Sequence, residues 1–123
     1  MAIDYGEKRV GIATTDESNE FALPRVVLEN TPKLLNEICE LREKWNIEKI
    51  ILGDSKKFDG SDNLIAVNIK RLKKELEEKG IVVIMHPEFL TSLEAKQLQG
   101  KNEMLDASAA AIILKSYIDM KNN

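Results

Sequence analysis

The chain has a single cysteine, Cys39, so no internal disulfide can form, and nothing else marks a secreted scaffold. A reducing cytoplasm is the expected setting. No apolar run reaches the ~18 to 20 residues that a membrane-spanning helix needs. The N-terminus does not read as a signal peptide, because Asp4 and Glu7 stand where a basic segment and an apolar stretch are required. Basic residues are not in excess: 18 Lys and Arg face 21 Asp and Glu, a net charge of -3. That excludes a protein that coats nucleic acid without specificity, since neutralising phosphates takes a basic surface. It leaves open a nuclease whose acids gather around a metal. The sequence also has no internal repeat, linker or low-complexity tract.

What is present suits one domain spanning residues 1–123. A 43% hydrophobic fraction is ordinary for a globular chain, and a chain of this length can bury a core without staples. Met1 to Gly6 reads as a short apolar strand stopped by glycine, and Arg9 to Thr15 as a second strand joined to it by a hairpin. Ala22 to Leu28 reads as a third, placed near an edge by Pro24. Thr31 and Pro32 are expected to cap and open a helix with Leu34, Ile38, Leu41 and Trp45 on its buried face. Lys49 to Gly53 is continuously apolar, as a strand covered on both faces would be. After a polar loop, a second helix buries Ile65, Ile69, Leu72 and Leu76 and ends at Gly80. Ile81 to Met85 is a fifth strand. Thr91 to Leu98 reads as helical, and a last helix is expected from about Asn102 to Met120. The order β-β-β-α-β-α-β-α-α implies an α/β fold with a five-stranded mixed sheet. A three-stranded antiparallel meander is followed by alternating α and β elements, with helices on both faces.

Three acids stand out by position: Asp4 at the end of the first strand, Glu88 just past the fifth, and Asp106 early in the last helix. If strands one and five are neighbours and the last helix packs over them, the three carboxylates converge. Such a set suits a hard divalent cation, and a pair of ions suits phosphodiester hydrolysis. Each acid alone has a plainer reading. Asp4 can close a turn, Glu88 can be a solvated loop acid, and Asp106 can be a helix-start acid favoured by the macrodipole.

A pattern across the chain ties them together. Asp4-Tyr-Gly-Glu-Lys-Arg-Val-Gly-Ile-Ala13 resembles the Asp-x-Gly-x-Lys-Arg-x-Gly-x-Ala opening of the YqgF/RuvX family. Ile51-Leu-Gly53 and Asp59-Gly-Ser61 resemble its Val-Val-Gly and Asp-Gly-Ser segments. Glu88 to Ala95 resembles its Asp-Glu-Arg-Leu-Thr-Ser-x-x-Ala block, and Asp106 to Tyr117 its closing Asp-x-x-Ala-Ala-x-x-Ile-Leu helix. The resemblance covers nearly the whole chain in order. It implies an RNase H-like fold and a Mg²⁺- or Mn²⁺-dependent nuclease acting on structured nucleic acid. RNA is expected ahead of DNA, through 5′-end processing of pre-16S rRNA. Asp4, Glu88 and Asp106 become the metal-binding catalytic carboxylates. Lys8 and Arg9 become candidate phosphate contacts, with a solvated hairpin as the plainer reading of Lys8. The oligomer expected is a monomer or weak homodimer.

The chain departs from the family pattern in places. Pro87-Glu88-Phe89 stands where the family has Asp-Glu-Arg, and Asp54 to Lys57 replaces Leu-Pro-Leu-Asn. The stretch from Ala95 to Asp106 is short and keeps only Lys96 and Lys101 of a basic loop. These losses motivate a second reading, a non-catalytic nucleic-acid or protein-binding domain that kept the fold. Holliday junction resolution on four-way DNA is a third. A sugar-kinase or actin-type ATPase half would share the first hairpin, but the chain is too short for two lobes. His86, the only histidine, reads as structural, and Cys39 as inert. The mixed charges from Lys70 to Glu78 read as a solvated helix face, and Trp45 as a core residue rather than a base-stacking platform.

Overall fold

The computed structural model describes residues 1–16, 18, 21–54, 64–87 and 105–121. The opening hairpin joins β1 (Ala2–Tyr5) to β2 (Arg9–Thr15) in antiparallel register, with Asp4 opposite Gly11 and Tyr5 opposite Val10. Its turn requires glycine for space: a β-carbon on Gly6 would stand 2.5 Å from the carbonyl oxygen of Arg9. Asn30 ties the turn down from outside. Its backbone N–H donates to the Lys8 carbonyl at 2.9 Å, and its Nδ2 donates to the Gly6 carbonyl at 2.8 Å. Asn30 follows β3 (Ala22–Glu29), which pairs antiparallel with β2. β3 is an outer strand, which suits Pro24, since proline has no N–H to give a second neighbour.

The first helix, α1 (Leu34–Lys44), begins later than Thr31 and Pro32 suggest. Thr31 caps a tighter turn instead: its Oγ1 accepts from the Lys33 N–H at 3.2 Å, and its carbonyl accepts from the Leu34 N–H at 3.0 Å. The helix ends at a Schellman turn. Asn46 takes φ +54° and donates to the Glu43 carbonyl, and Ile47 donates to that of Arg42. α2 (Leu64–Glu78) ends the same way, with Gly80 at φ +81°. There Gly80 and Ile81 donate to the carbonyls of Glu77 and Leu76.

Between and after these helices run β4 (Lys49–Asp54) and β5 (Val82–Pro87), and α3 (Leu105–Lys121) follows. The sheet order is β3-β2-β1-β4-β5, with β1, β4 and β5 mutually parallel. The condition under which the three carboxylates would converge, strands one and five as neighbours, is therefore not met. Right-handed crossovers lay each new parallel strand outside the last, so β4 takes the place beside β1 and β5 lies one strand further out. The expected Thr91–Leu98 helix and the start of the last helix before Leu105 lie outside the described residues.

Strand alternation divides the core in two. Ile3, Val10, Ile12, Ile50, Leu52 and Val83 face α1 and α2, where Leu34, Ile38, Ile69, Leu72 and Leu76 cover them. Each such side chain contributes about 1.5–3 kcal/mol on burial. Cys39 packs against the rim of this cluster. Ala2, Ala13 and Ile51 face the other way, under Ala110, Ile113, Leu114 and Ile118 of α3. The α1/α2 side supplies most of the stabilising bulk. The α3 side is a smaller layer in which Ala2, Ala13 and Ala110 lie among Ile51, Ile113, Leu114 and Ile118, and the alanines let the helix approach the sheet closely.

Candidate active site

Asp4 shares the parity of Ala2 along β1, so it lies on the face that α3 covers. Its neighbours in that row carry no side chains. Gly11 is its partner on β2, and the parallel pairing of Ala2 with Ile51 and Ile3 with Leu52 sets Gly53 beside it on β4. The half-buried Asp4 therefore has a glycine on each side along this row. Larger residues there would fill the space that an ion and a phosphate need.

His86 is the next member of the row, opposite Gly53 on β5 and two strands, or roughly 10 Å, from Asp4. It is buried, and Nε2 lies 2.9 Å from the Ser116 hydroxyl of α3. The Tyr117 ring meets it edge-on, with centroids 6.2 Å apart. Burial holds the imidazole pKa below its ordinary value. This contact pins the end of β5 to the helix that carries Asp106. The sequence offered no sign of it beyond the lone histidine, because Ser116 is 30 residues away.

Asp106 is the second described residue of α3. The helix bearing it and the strand bearing Asp4 thus share one face of the sheet. Glu88 lies outside the described residues. Among the described residues, no group of three or more His, Cys, Asp or Glu is gathered to hold a metal ion. Lys8 and Arg9 are exposed at the hairpin, at the same end of β1 as Asp4, and the Asn30 hydrogen bonds fix the backbone that carries them. The helix charges from Lys70 onward point to solvent, where Lys73 and Glu77 pair at 2.9 Å. Trp45 is half-buried: it packs partly on the core and also lines a cavity at the other end of the sheet.

A three-stranded antiparallel meander continued by parallel strands, with the last helix across one face, is the RNase H-like α/β arrangement. The chain matches the family model described as "RuvX: Holliday junction resolvase" over residues 1–120 and belongs to the RuvX family. It is similar to the "Putative pre-16S rRNA nuclease" of Syntrophus aciditrophicus, 32% identical over 97% of this chain and 87% of that one. The protein of the same name from Bordetella parapertussis is 30% identical over 97% and 92%. Among solved structures, RuvC of Thermus thermophilus in complex with a Holliday junction substrate superposes with a TM-score of 0.64 at 15% identity, covering 98% of this chain and 94% of that one. The fowlpox virus resolvase bound to Holliday junction DNA gives 0.59 at 12%, covering 98% and 97%. These structures establish the fold, and the family places the chain among endonucleases, which in this class are generally dependent on divalent metal. No helix among the described residues is long and apolar enough to cross a membrane.

Proposed function

We propose that the chain hydrolyses phosphodiester bonds in structured RNA, as an endonuclease in 5′-end processing of pre-16S rRNA, with Asp4, Glu88 and Asp106 as its catalytic and metal-binding carboxylates. The observation that carries this reading is Asp4 on its glycine-flanked row under the helix that bears Asp106. An all-carboxylate donor set fits a hard cation, Mg²⁺ or Mn²⁺. The chemistry that a pair of such ions supplies when bound is activation of water and neutralisation of the leaving oxygen. Asp4 sits on the central strand of the sheet, with two strands on either side of β1. Lys8 and Arg9 grip substrate phosphates beside it, Arg9 through its guanidinium fork. We take residues 1–123 to work as one cytoplasmic domain, monomeric or weakly dimeric.

The test is cleavage of precursor rRNA by purified protein in Mg²⁺, with a four-way DNA junction alongside. RNA is cut in preference, leaving a 5′-phosphate. Asp4→Asn, Glu88→Gln and Asp106→Asn each lose about a hundredfold or more, since each removes charge stabilisation worth several kcal/mol. Cleavage retained by all three variants would falsify the assignment. Selective cutting of the junction would instead favour resolvase activity, which the description of the family model supports. If neither substrate is cut while both are bound, the chain is a binding domain.

A further inference from the structure

We infer that a cavity at the far end of the sheet from Asp4 is a second site, one that takes a nucleotide unit through a phosphate and a base. The cavity measures about 750 Å³ and opens where β1 and β4 begin, roughly 10 Å along β1 from Asp4. That volume lies within the usual range of small-ligand sites, about 300–1,000 Å³. Trp45 and Tyr117 supply ring surface, and each carries a cation. The guanidinium carbon of Arg25 lies 5.7 Å from the Trp45 ring centroid, and Lys121 Nζ lies 5.6 Å from that of Tyr117. Lys49 adds a third positive charge.

Arg25 is fixed in place before any ligand arrives. Its Nε donates at 2.7 Å to the buried hydroxyl of Thr14, and the Trp45 ring backs it. Among the described residues it makes no ion pair, so its terminal nitrogens remain as a preset fork for an anion. Two acids also line the cavity, but Asp16 is committed to its own turn. Its carboxylate accepts from the Ser18 hydroxyl at 2.9 Å and from the Phe21 N–H at 3.2 Å. Among the described residues, Glu48 alone is left to oppose three cations. In a chain of net charge -3, a cationic cavity walled by rings selects a ligand that is both anionic and planar. Phosphate answers the cations, and a base lies against ring or guanidinium planes. A free nucleotide and a nucleotide at the end of a strand share this chemistry.

Trp45 is the only tryptophan, so its emission reports on this cavity directly. The experiment follows that emission in the full chain carrying Asp4→Asn, to prevent cleavage, while AMP, inorganic phosphate and a 5′-phosphorylated single-stranded oligonucleotide are titrated. AMP and the oligonucleotide are expected to change it saturably. Arg25→Ala and Lys121→Ala each weaken binding about tenfold, the loss of one charge-assisted contact. Lys121 is exposed in the last turn of α3, so its variant tests the site without burdening the fold. Tighter oligonucleotide binding identifies a strand as the source, and equal affinity identifies free nucleotide. A flat response to both, or binding that neither variant weakens, overturns the site. Inorganic phosphate binding as tightly as AMP overturns the nucleotide assignment. The readout needs no cleavage, so this inference and the reading of Asp4 stand or fall separately.

Discussion

A methyl group added at Gly6 meets the carbonyl oxygen of Arg9 at 2.5 Å, whereas one added at Gly80 meets nothing within 4 Å. The first glycine is required for space and the second for its φ of +81°. Gly6→Ala and Gly6→Asn should therefore both cost about 1–3 kcal/mol, the usual penalty of forcing atoms into a filled space. Gly80→Ala should cost about 1 kcal/mol, and Gly80→Asn less, because asparagine tolerates the left-handed region. Urea midpoints of the four variants check this, and equal costs for alanine and asparagine at Gly80 would contradict it. His86 makes a prediction in pH. Burial keeps its folded pKa below the ordinary value of about 6.5. Between the two values the unfolded chain holds more protons, so stability rises with pH through that window and is lost as pH falls through it. His86→Gln, which keeps a polar partner for Ser116, should flatten the profile. Urea midpoints in EDTA at about pH 5 and about pH 8 compare the two proteins, and a steep acid loss in the variant would clear His86 of the effect.

At the scale of elements, α3 rests on Ala2 and Ala13 through Ala110, all fully buried. Such a seam leaves no slack for a larger side chain. Ala110→Leu should cost about 1–3 kcal/mol and push the helix outward, moving Asp106 relative to Asp4. The expected signature is weaker Mn²⁺ binding by calorimetry in a protein that still melts cooperatively. Unchanged metal affinity would mean that the seam does not set the site. The strands were legible in the sequence because glycine and proline punctuate them and their apolar parity is clear, and β2 falls where its residues place it. The α1 ends were harder. Thr31 and Pro32 carry the residue types of a helix start, yet the Thr31 hydroxyl turns to Lys33 and closes a tighter turn first. Asn46 ends α1 without the glycine that marks the end of α2, so its left-handed φ left no signal. The covered face of α3 was also hard to read. A helix apolar nearly all round has no single stripe, and Ala110 and Leu114 are buried where Ile112 is only half so.

For the whole molecule, strand order was the least legible feature, because it depends on crossovers rather than on any local pattern. Composition and spacing marked Asp4, Glu88 and Asp106 as acids at element ends, and only the resemblance to a family joined them. The sheet then set Asp4 between two glycines, a relation among three strands that no stretch of sequence displays. Net charge carries the remaining prediction. A chain at -3 has few cations to spend on phosphates, and the hairpin offers two, Lys8 and Arg9. Each phosphate contact contributes about 0.7–0.9 to the slope of log affinity against log salt. Anisotropy of labelled precursor RNA bound to the Glu88→Gln variant, measured across a KCl series in fixed Mg²⁺, should therefore give a shallow slope. Lys8→Ala and Arg9→Ala should each reduce it by about 0.7–0.9. If the cavity of Arg25, Lys49 and Lys121 engages the same strand, Arg25→Ala lowers the slope again by a similar step. If the cavity serves free nucleotide, Arg25→Ala leaves the slope as it was. A slope that neither Lys8→Ala nor Arg9→Ala changes would remove the hairpin from the interface and leave the substrate held through its metal contacts alone.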